Sequence, residues 1–163
     1  MTETNESLPE VYVQPGELHL VHKPVILRTL LGSCVGITFW VPRLGLAAIC
    51  HAVLPICPAK PQTELSLADS RRYVDFAISD IARQFDSFGA RRSEVQVKLF
   101  GGGDVLPLEK AIHPTIGKLN CESALRALRE ERLEIVASSL GGSCGLNIQF
   151  DTGSGEVLLR RLG

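Results

Sequence analysis

The sequence predicts an α+β fold, with mixed, partly antiparallel β-sheet layers flanked by two main helices. Three observations lead there. Segments rich in Val, Ile, Leu, Thr and aromatics between Val25 and Leu54 are joined by turns of hairpin length, so part of the sheet has to be antiparallel. Two other stretches carry apolar residues at helical spacing. With 163 residues, 45% of them hydrophobic and 21% charged, the chain has the composition of one globular domain with a real core.

Residues 1–10 are polar and acidic and read as a flexible tail, with a single domain over residues 11–163. Val11 to Val13 and Leu18 to Val21 are short strands separated by the turn-forming Pro15-Gly16. Val25 to Leu31 and Val35 to Val41 are strands interrupted by Gly32-Ser33-Cys34, a tight bend. Turn chemistry at Pro42-Arg43-Leu44-Gly45 then leads into an apolar strand from Leu46 to Leu54, completing a hairpin. Pro58 and Pro61 make Ile56 to Leu67 a loop.

Asp69 is the expected N-cap of a long helix whose stripe is Tyr73, Ala77, Ile81 and Phe85, with Val74, Ile78 and Phe88 beside it, ending at Gly89. Val95, Val97 and Leu99 alternate with polar residues in a strand that runs into Gly101-Gly102-Gly103, where another backbone or a ligand can approach closely. Asn120 is the expected cap of a second helix, Cys121 to Arg132, with Ala124, Leu125 and Leu128 on its apolar face. Ile135 to Leu140, Leu146 to Phe150 and a last segment through Leu159 complete the strands.

Charge and cysteine content narrow the function. Lys plus Arg at 17 against Asp plus Glu at 18 leaves a net charge of -1, which provides no broad field for nucleic acid or an anionic membrane. The N-terminus lacks the basic start and apolar run of a secretory signal, and no segment stays apolar long enough to span a bilayer, so a cytoplasmic protein without direct membrane insertion is expected. Five cysteines, an odd number without a regular framework, are then thiols.

Cys34 sits at a bend able to expose its sulfur and to leave the backbone N–H groups of Ser33 and Cys34 free for an oxyanion. Taken alone, a buried core thiol is the commoner state of such a cysteine. His51 alters the balance. A hairpin turn over Pro42 to Gly45 pairs Val41 with Leu46, and counting back sets Cys34 opposite Val53, two residues from His51 and on the same face. His51 is then either a satisfied core histidine or the general base for Cys34. Thr29 can orient the imidazole by accepting a hydrogen bond from its other nitrogen, though threonine is ordinary in a strand.

Cys144, in Gly141-Gly142-Ser143-Cys144-Gly145, is a rival nucleophile, with no histidine following it. Cys50-His51 with Cys57, or His19 with His22, match no paired metal-ligand spacing, so no metal is expected. The triple glycine lacks a following Lys-Ser or Lys-Thr and opens no Rossmann fingerprint, so no nucleotide cofactor is expected either.

Thr29-Leu30-Leu31-Gly32-Ser33-Cys34-Val35 and His51-Ala52-Val53-Leu54-Pro55 together resemble the nucleophile and histidine segments of CheD, the chemoreceptor glutamine deamidase family. The resemblance continues through Arg72-Tyr73, Lys98-Leu99-Phe100-Gly101-Gly102-Gly103, Ile116-Gly117-Lys118-Leu119-Asn120 and Leu140-Gly141-Gly142, in order, from about Val11 onward. It implies thiol attack on the carboxamide of receptor glutamines, loss of ammonia and hydrolysis of a thioester to glutamate, with glutamyl methyl ester hydrolysis in some members. The implied partners are the cytoplasmic region of chemoreceptors and a CheC-type phosphatase. An alternative is a binding module that keeps these contacts with weak or no turnover. Two departures bear on the site. The family's triad threonine stands six residues before the cysteine, where this chain has Arg28 with Thr29 one place later. Cys144-Gly145-Leu146 stands where the family commonly shows Gly-Arg.

Overall fold

The first strands of the chain alternate between two sheets. The computed structural model describes residues 7–58, 65–105 and 113–163; the start of the expected tail and the middle of the proline-containing loop lie outside them. Strands β1 (Glu10–Tyr12), β3 (Ile26–Leu31), β8 (Gly145–Asp151) and β9 (Val157–Leu162) form a four-stranded sheet in the order β1-β3-β8-β9. Strands β2 (Leu18–Val21), β4 (Val35–Val41), β5 (Leu46–Ala52), β6 (Gln96–Gly101) and β7 (Glu134–Leu140) form a five-stranded sheet in the order β2-β5-β4-β6-β7. Both are mixed, since β1 with β3 and β6 with β7 are parallel while the other pairs are antiparallel. The α+β class with two main helices is therefore as the sequence indicated.

The β4–β5 hairpin has the counted register. Its turn is a single 3-10 turn, Pro42–Leu44, closed by Gly45 in the left-handed region at φ 58. Val41 faces Leu46 and Val35 faces Ala52, so one further step sets Cys34 against Val53. Both strands are buried on two sides, which explains their nearly unbroken apolar sequence. Val35, Ile37, Phe39, Leu46, Ala48 and Cys50 face the helices, and Ala47 and Ile49 face the four-stranded sheet with Leu27, Leu31, Leu146, Ile148 and Phe150. Three layers result, helices on five strands on four strands.

Both helix starts differ from the sequence reading. Asp69 lies inside a one-turn helix, α1 (Leu67–Ser70), whose cap is Ser66, the side chain accepting from the Asp69 N–H. The long helix α2 (Val74–Ser87) begins separately after Tyr73. Tyr73 is extended, and its backbone completes a parallel bridge with Leu54 at the end of β5. Val53 and Leu54 N–H both donate to Arg72 O, and Val74 N–H donates to Leu54 O. Those bonds also end β5 at Ala52 rather than Leu54. Helix α3 (Ile116–Glu130) is capped by Thr115, so Asn120 is an interior residue, fully buried. Leu125, expected on the apolar face, is exposed, and the inner face carries Gly117, Asn120, Ser123, Ala124, Ala127 and Leu128. Gly89, after α2, has φ 83 and stops that helix as expected.

Candidate active site

The bend Gly32-Ser33-Cys34 is where the chain crosses from β3 in one sheet to β4 in the other. Its three consecutive carbonyls are all held. Gly103 N–H donates to Gly32 O at 2.9 Å, Asn120 Nδ2 to Ser33 O at 3.0 Å, and Gly102 N–H to Cys34 O at 2.8 Å. The close approach expected at the triple glycine is thus made by other backbone. A Cβ on Gly101 would stand 2.2 Å from Cys34 O, and one on Gly117 would stand 2.5 Å from Gly103 O. Neither Ser33 nor Cys34 donates its backbone N–H to a partner outside the strands among the described residues.

His51 and Thr29 meet across the two sheets. Thr29 alternates inward on β3 with Leu27 and Leu31, whereas Arg28 faces outward and pairs with Glu10 at 3.0 Å. Arg28, at the spacing that the resemblance implies for a threonine, is thus turned to solvent, and its neighbour Thr29 takes the inward place. Thr29 Oγ1 lies 2.7 Å from His51 Nδ1 and donates to Val13 O at 2.8 Å. Its single hydroxyl proton is engaged by that carbonyl, so Nδ1 carries the imidazole proton and donates it to Thr29. Nε2 is left as the basic nitrogen.

Burial holds this imidazole neutral. His51 is 2% exposed, and desolvation moves its pKa from 6.5 down to about 4 against smaller opposing effects of Val13 and Glu17. Desolvation likewise raises the Cys34 thiol above its ordinary value, offset in part by its own backbone N–H. Cys34 packs, half-buried, against the core between the sheets, on the side where His51 stands. The position opposite His51 on β4 is Gly36, over which Leu31 and Ile148 pack so closely that a Cβ there would stand 2.9 Å and 3.2 Å from them. Cys34 and His51 are not hydrogen-bonded to one another in this structure. Without substrate, catalytic hydrogen bonds are commonly long and close only in the complex.

The other candidates are arranged differently. Cys50 faces the helices while its neighbour His51 faces the other sheet, and burial pushes the Cys50 thiol up to about 12. His19 bonds Glu17 at 2.9 Å, and the His22 ring stacks edge-on against Phe88. Cys144 is half-buried and makes no hydrogen bond to an imidazole among the described residues. Its loop adjoins the same glycines, with Gly141 N–H on Gly101 O and Asp104 N–H on Gly142 O. Asn120 was legible only as a cap. A helix started at Thr115 would have put it on the inner face with Gly117 and Ala124.

A half-buried thiol and a buried, neutral, threonine-held imidazole on one face of an α+β fold can supply a nucleophile and a general base, the groups a thiol-dependent hydrolase requires. Comparison with known proteins narrows the class. The family model for CheD, described as CheD chemotactic sensory transduction, matches residues 56–161. A "Probable chemoreceptor glutamine deamidase CheD 2" of Geobacter sulfurreducens is 42% identical over 162 residues, covering 99% of this chain and 96% of that protein. A "Probable chemoreceptor glutamine deamidase CheD" of Maridesulfovibrio salexigens is 35% identical, covering 99% and 97%. The chain belongs to the CheD family, as its motifs indicated. A solved structure of a Bacillus licheniformis hypothetical protein, YfiH, is similar over 77% of this chain and 51% of that one at 14% identity and a TM-score of 0.49, too loose a likeness to bear on function.

Proposed function

We propose that this chain, over residues 11–163, is a chemoreceptor glutamine deamidase with Cys34 as nucleophile, His51 as general base and Thr29 as the residue that orients the imidazole. The observation carrying this reading is the 2.7 Å contact between Thr29 Oγ1 and His51 Nδ1, which assigns the proton to Nδ1 and makes Nε2 the basic nitrogen of an imidazole on the same strand face as Cys34.

In the proposed reaction His51 Nε2 takes the Cys34 proton as the sulfur attacks the side-chain carbonyl carbon of a receptor glutamine. The backbone N–H groups of Ser33 and Cys34 receive the oxyanion. The imidazolium then protonates the departing ammonia, leaving a thioester. His51 next activates water, and hydrolysis releases glutamate and the thiol. A glutamyl methyl ester would follow the same course with methanol leaving. Because burial keeps both partners uncharged at rest, proton transfer accompanies attack rather than preceding it.

No helix among the described residues is long and apolar enough to cross a membrane. A cytoplasmic site of action on the receptor's cytoplasmic region accords with the deamidase relatives, and a CheC-type phosphatase as partner rests on the family resemblance alone. The test is to incubate the protein with a receptor cytoplasmic fragment and follow the small mass gain of each deamidated glutamine. Cys34→Ala should abolish it and Cys144→Ala should not. No gain with the intact protein would favour a binding module, and loss only in Cys144→Ala would move the nucleophile.

A further inference from the structure

We infer that Asn120 is a positioning residue for the oxyanion donor of Cys34. The inference rests on the reading of Cys34 as nucleophile. Asn120 is fully buried in α3, and its Nδ2 donates to two carbonyls, Ser33 O at 3.0 Å and Val53 O at 3.2 Å. Only the NH2 side of the amide can face two acceptors, so the side-chain orientation is fixed. Its Oδ1 is buried without a partner among the described residues. A buried orphan acceptor is costly, and the position tolerates it in return for two donors aimed at the active-site strands.

Peptide planarity makes the first of those bonds consequential. The Ser33 carbonyl and the Cys34 N–H belong to one planar trans unit and point in opposite directions. Holding Ser33 O toward α3 therefore turns the Cys34 N–H away from α3, toward its own sulfur, where the thiol already feels it. Gly103 acts on the preceding peptide in the same way through Gly32 O, which sets the Ser33 N–H. The second bond, to Val53, ties the same amide to the register position facing Cys34. Asn120 thus couples the nucleophile's bend to the strand that carries His51.

The test separates oxyanion stabilisation from thiol reactivity. p-Nitrophenyl acetate acylates a thiol through a tetrahedral oxyanion: an S–C bond forms, the C–O bond breaks, p-nitrophenolate leaves with the electron pair, and His51 takes the thiol proton. Iodoacetamide alkylates the same sulfur by displacing iodide without an oxyanion. In Asn120→Ala and in the nearly isosteric Asn120→Asp, with both rates measured well below each variant's Tm, acylation of Cys34 should fall about 10- to 100-fold while alkylation changes little. Unchanged acylation, a parallel fall of both rates, or acetylation mapping to Cys144 would overturn the inference. If Asn120→Ala does not fold, Asn120→Asp decides. Failure of the wild-type chain to deamidate a receptor fragment would sink the deamidase reading while the acylation ratio still judges Asn120.

Discussion

At the residue scale, the site depends on which way single side chains face. Thr29 and Arg28 are adjacent, yet strand alternation points one into the core between the sheets and the other to solvent. Thr29→Val keeps shape and burial but removes the acceptor for His51 Nδ1–H. It should lower deamidation roughly 10²-fold, the lower range of what a positioned base contributes, and Thr29→Ser should recover most of it in the same receptor-fragment assay. Much of this was readable in advance. The placement of Cys34 and His51 on one face followed from the even count of the hairpin, which the register from Val41 with Leu46 to Val35 with Ala52 repeats. The inward place of Thr29 was less so, because β3 belongs to a different sheet from His51 and no count along one hairpin relates them.

At the element scale, helix α3 approaches the Cys34 bend as closely as it does because glycines meet there. A methyl group on Gly117 would stand 2.5 Å from Gly103 O and 2.7 Å from Gly102 O, against backbone that cannot swing aside. Gly117→Ala should therefore push α3 outward, destabilise the fold by about 1–3 kcal/mol as overpacked sites do, and lower activity beyond what the stability loss explains. Urea denaturation alongside turnover checks both. The sequence showed the triple glycine as a place of close approach but not what approaches. Helix boundaries were harder still. Asp69 and Asn120 are good capping residue types, but Ser66 and Thr115 make the caps. The break before α2 is set by the bridge from Leu54 to Tyr73, a tertiary contact that local propensity does not encode. On α3 the inner face is built from Gly, Asn and Ser beside Ala, so an apolar stripe alone misassigned Leu125.

At the scale of the whole molecule, two cores have different jobs. Ile148 lies in the core between the sheets, opposite Thr29 on β8, while Ile81 lies between α2 and the five-stranded sheet. Both are fully buried, so each isoleucine-to-alanine change should cost about 2–5 kcal/mol. Measured well below each Tm, Ile148→Ala should lose far more activity than Ile81→Ala. Equal residual activities would contradict the division. Stability should also depend on pH through His51, whose folded pKa is lowered from 6.5 to about 4. Between those values the unfolded chain holds a proton that the folded chain lacks. The contribution is therefore complete above pH 6.5 and disappears as the pH falls to 4, amounting to at most about 3 kcal/mol. Urea unfolding at neutral pH and near pH 4.5 should show a smaller acid loss for His51→Gln than for the wild type, and equal losses would refute the neutral buried imidazole.

The crossing of the chain at Gly32-Ser33-Cys34 bears on the order of folding events. Thr29 stands on one sheet, His51 on the other, and Cys34 at the passage between them. The four-stranded sheet is closed only when β3 finds β8, near the far end of the chain, as in the pairing of Thr29 with Ile148. A growing or half-folded chain accordingly has a cysteine but no oriented base beside it. The proposed centre of Cys34, His51 and Thr29 spans both sheets, so the return of activity during refolding should follow the long-range pairing of β3 with β8 and not the formation of the β4–β5 hairpin alone.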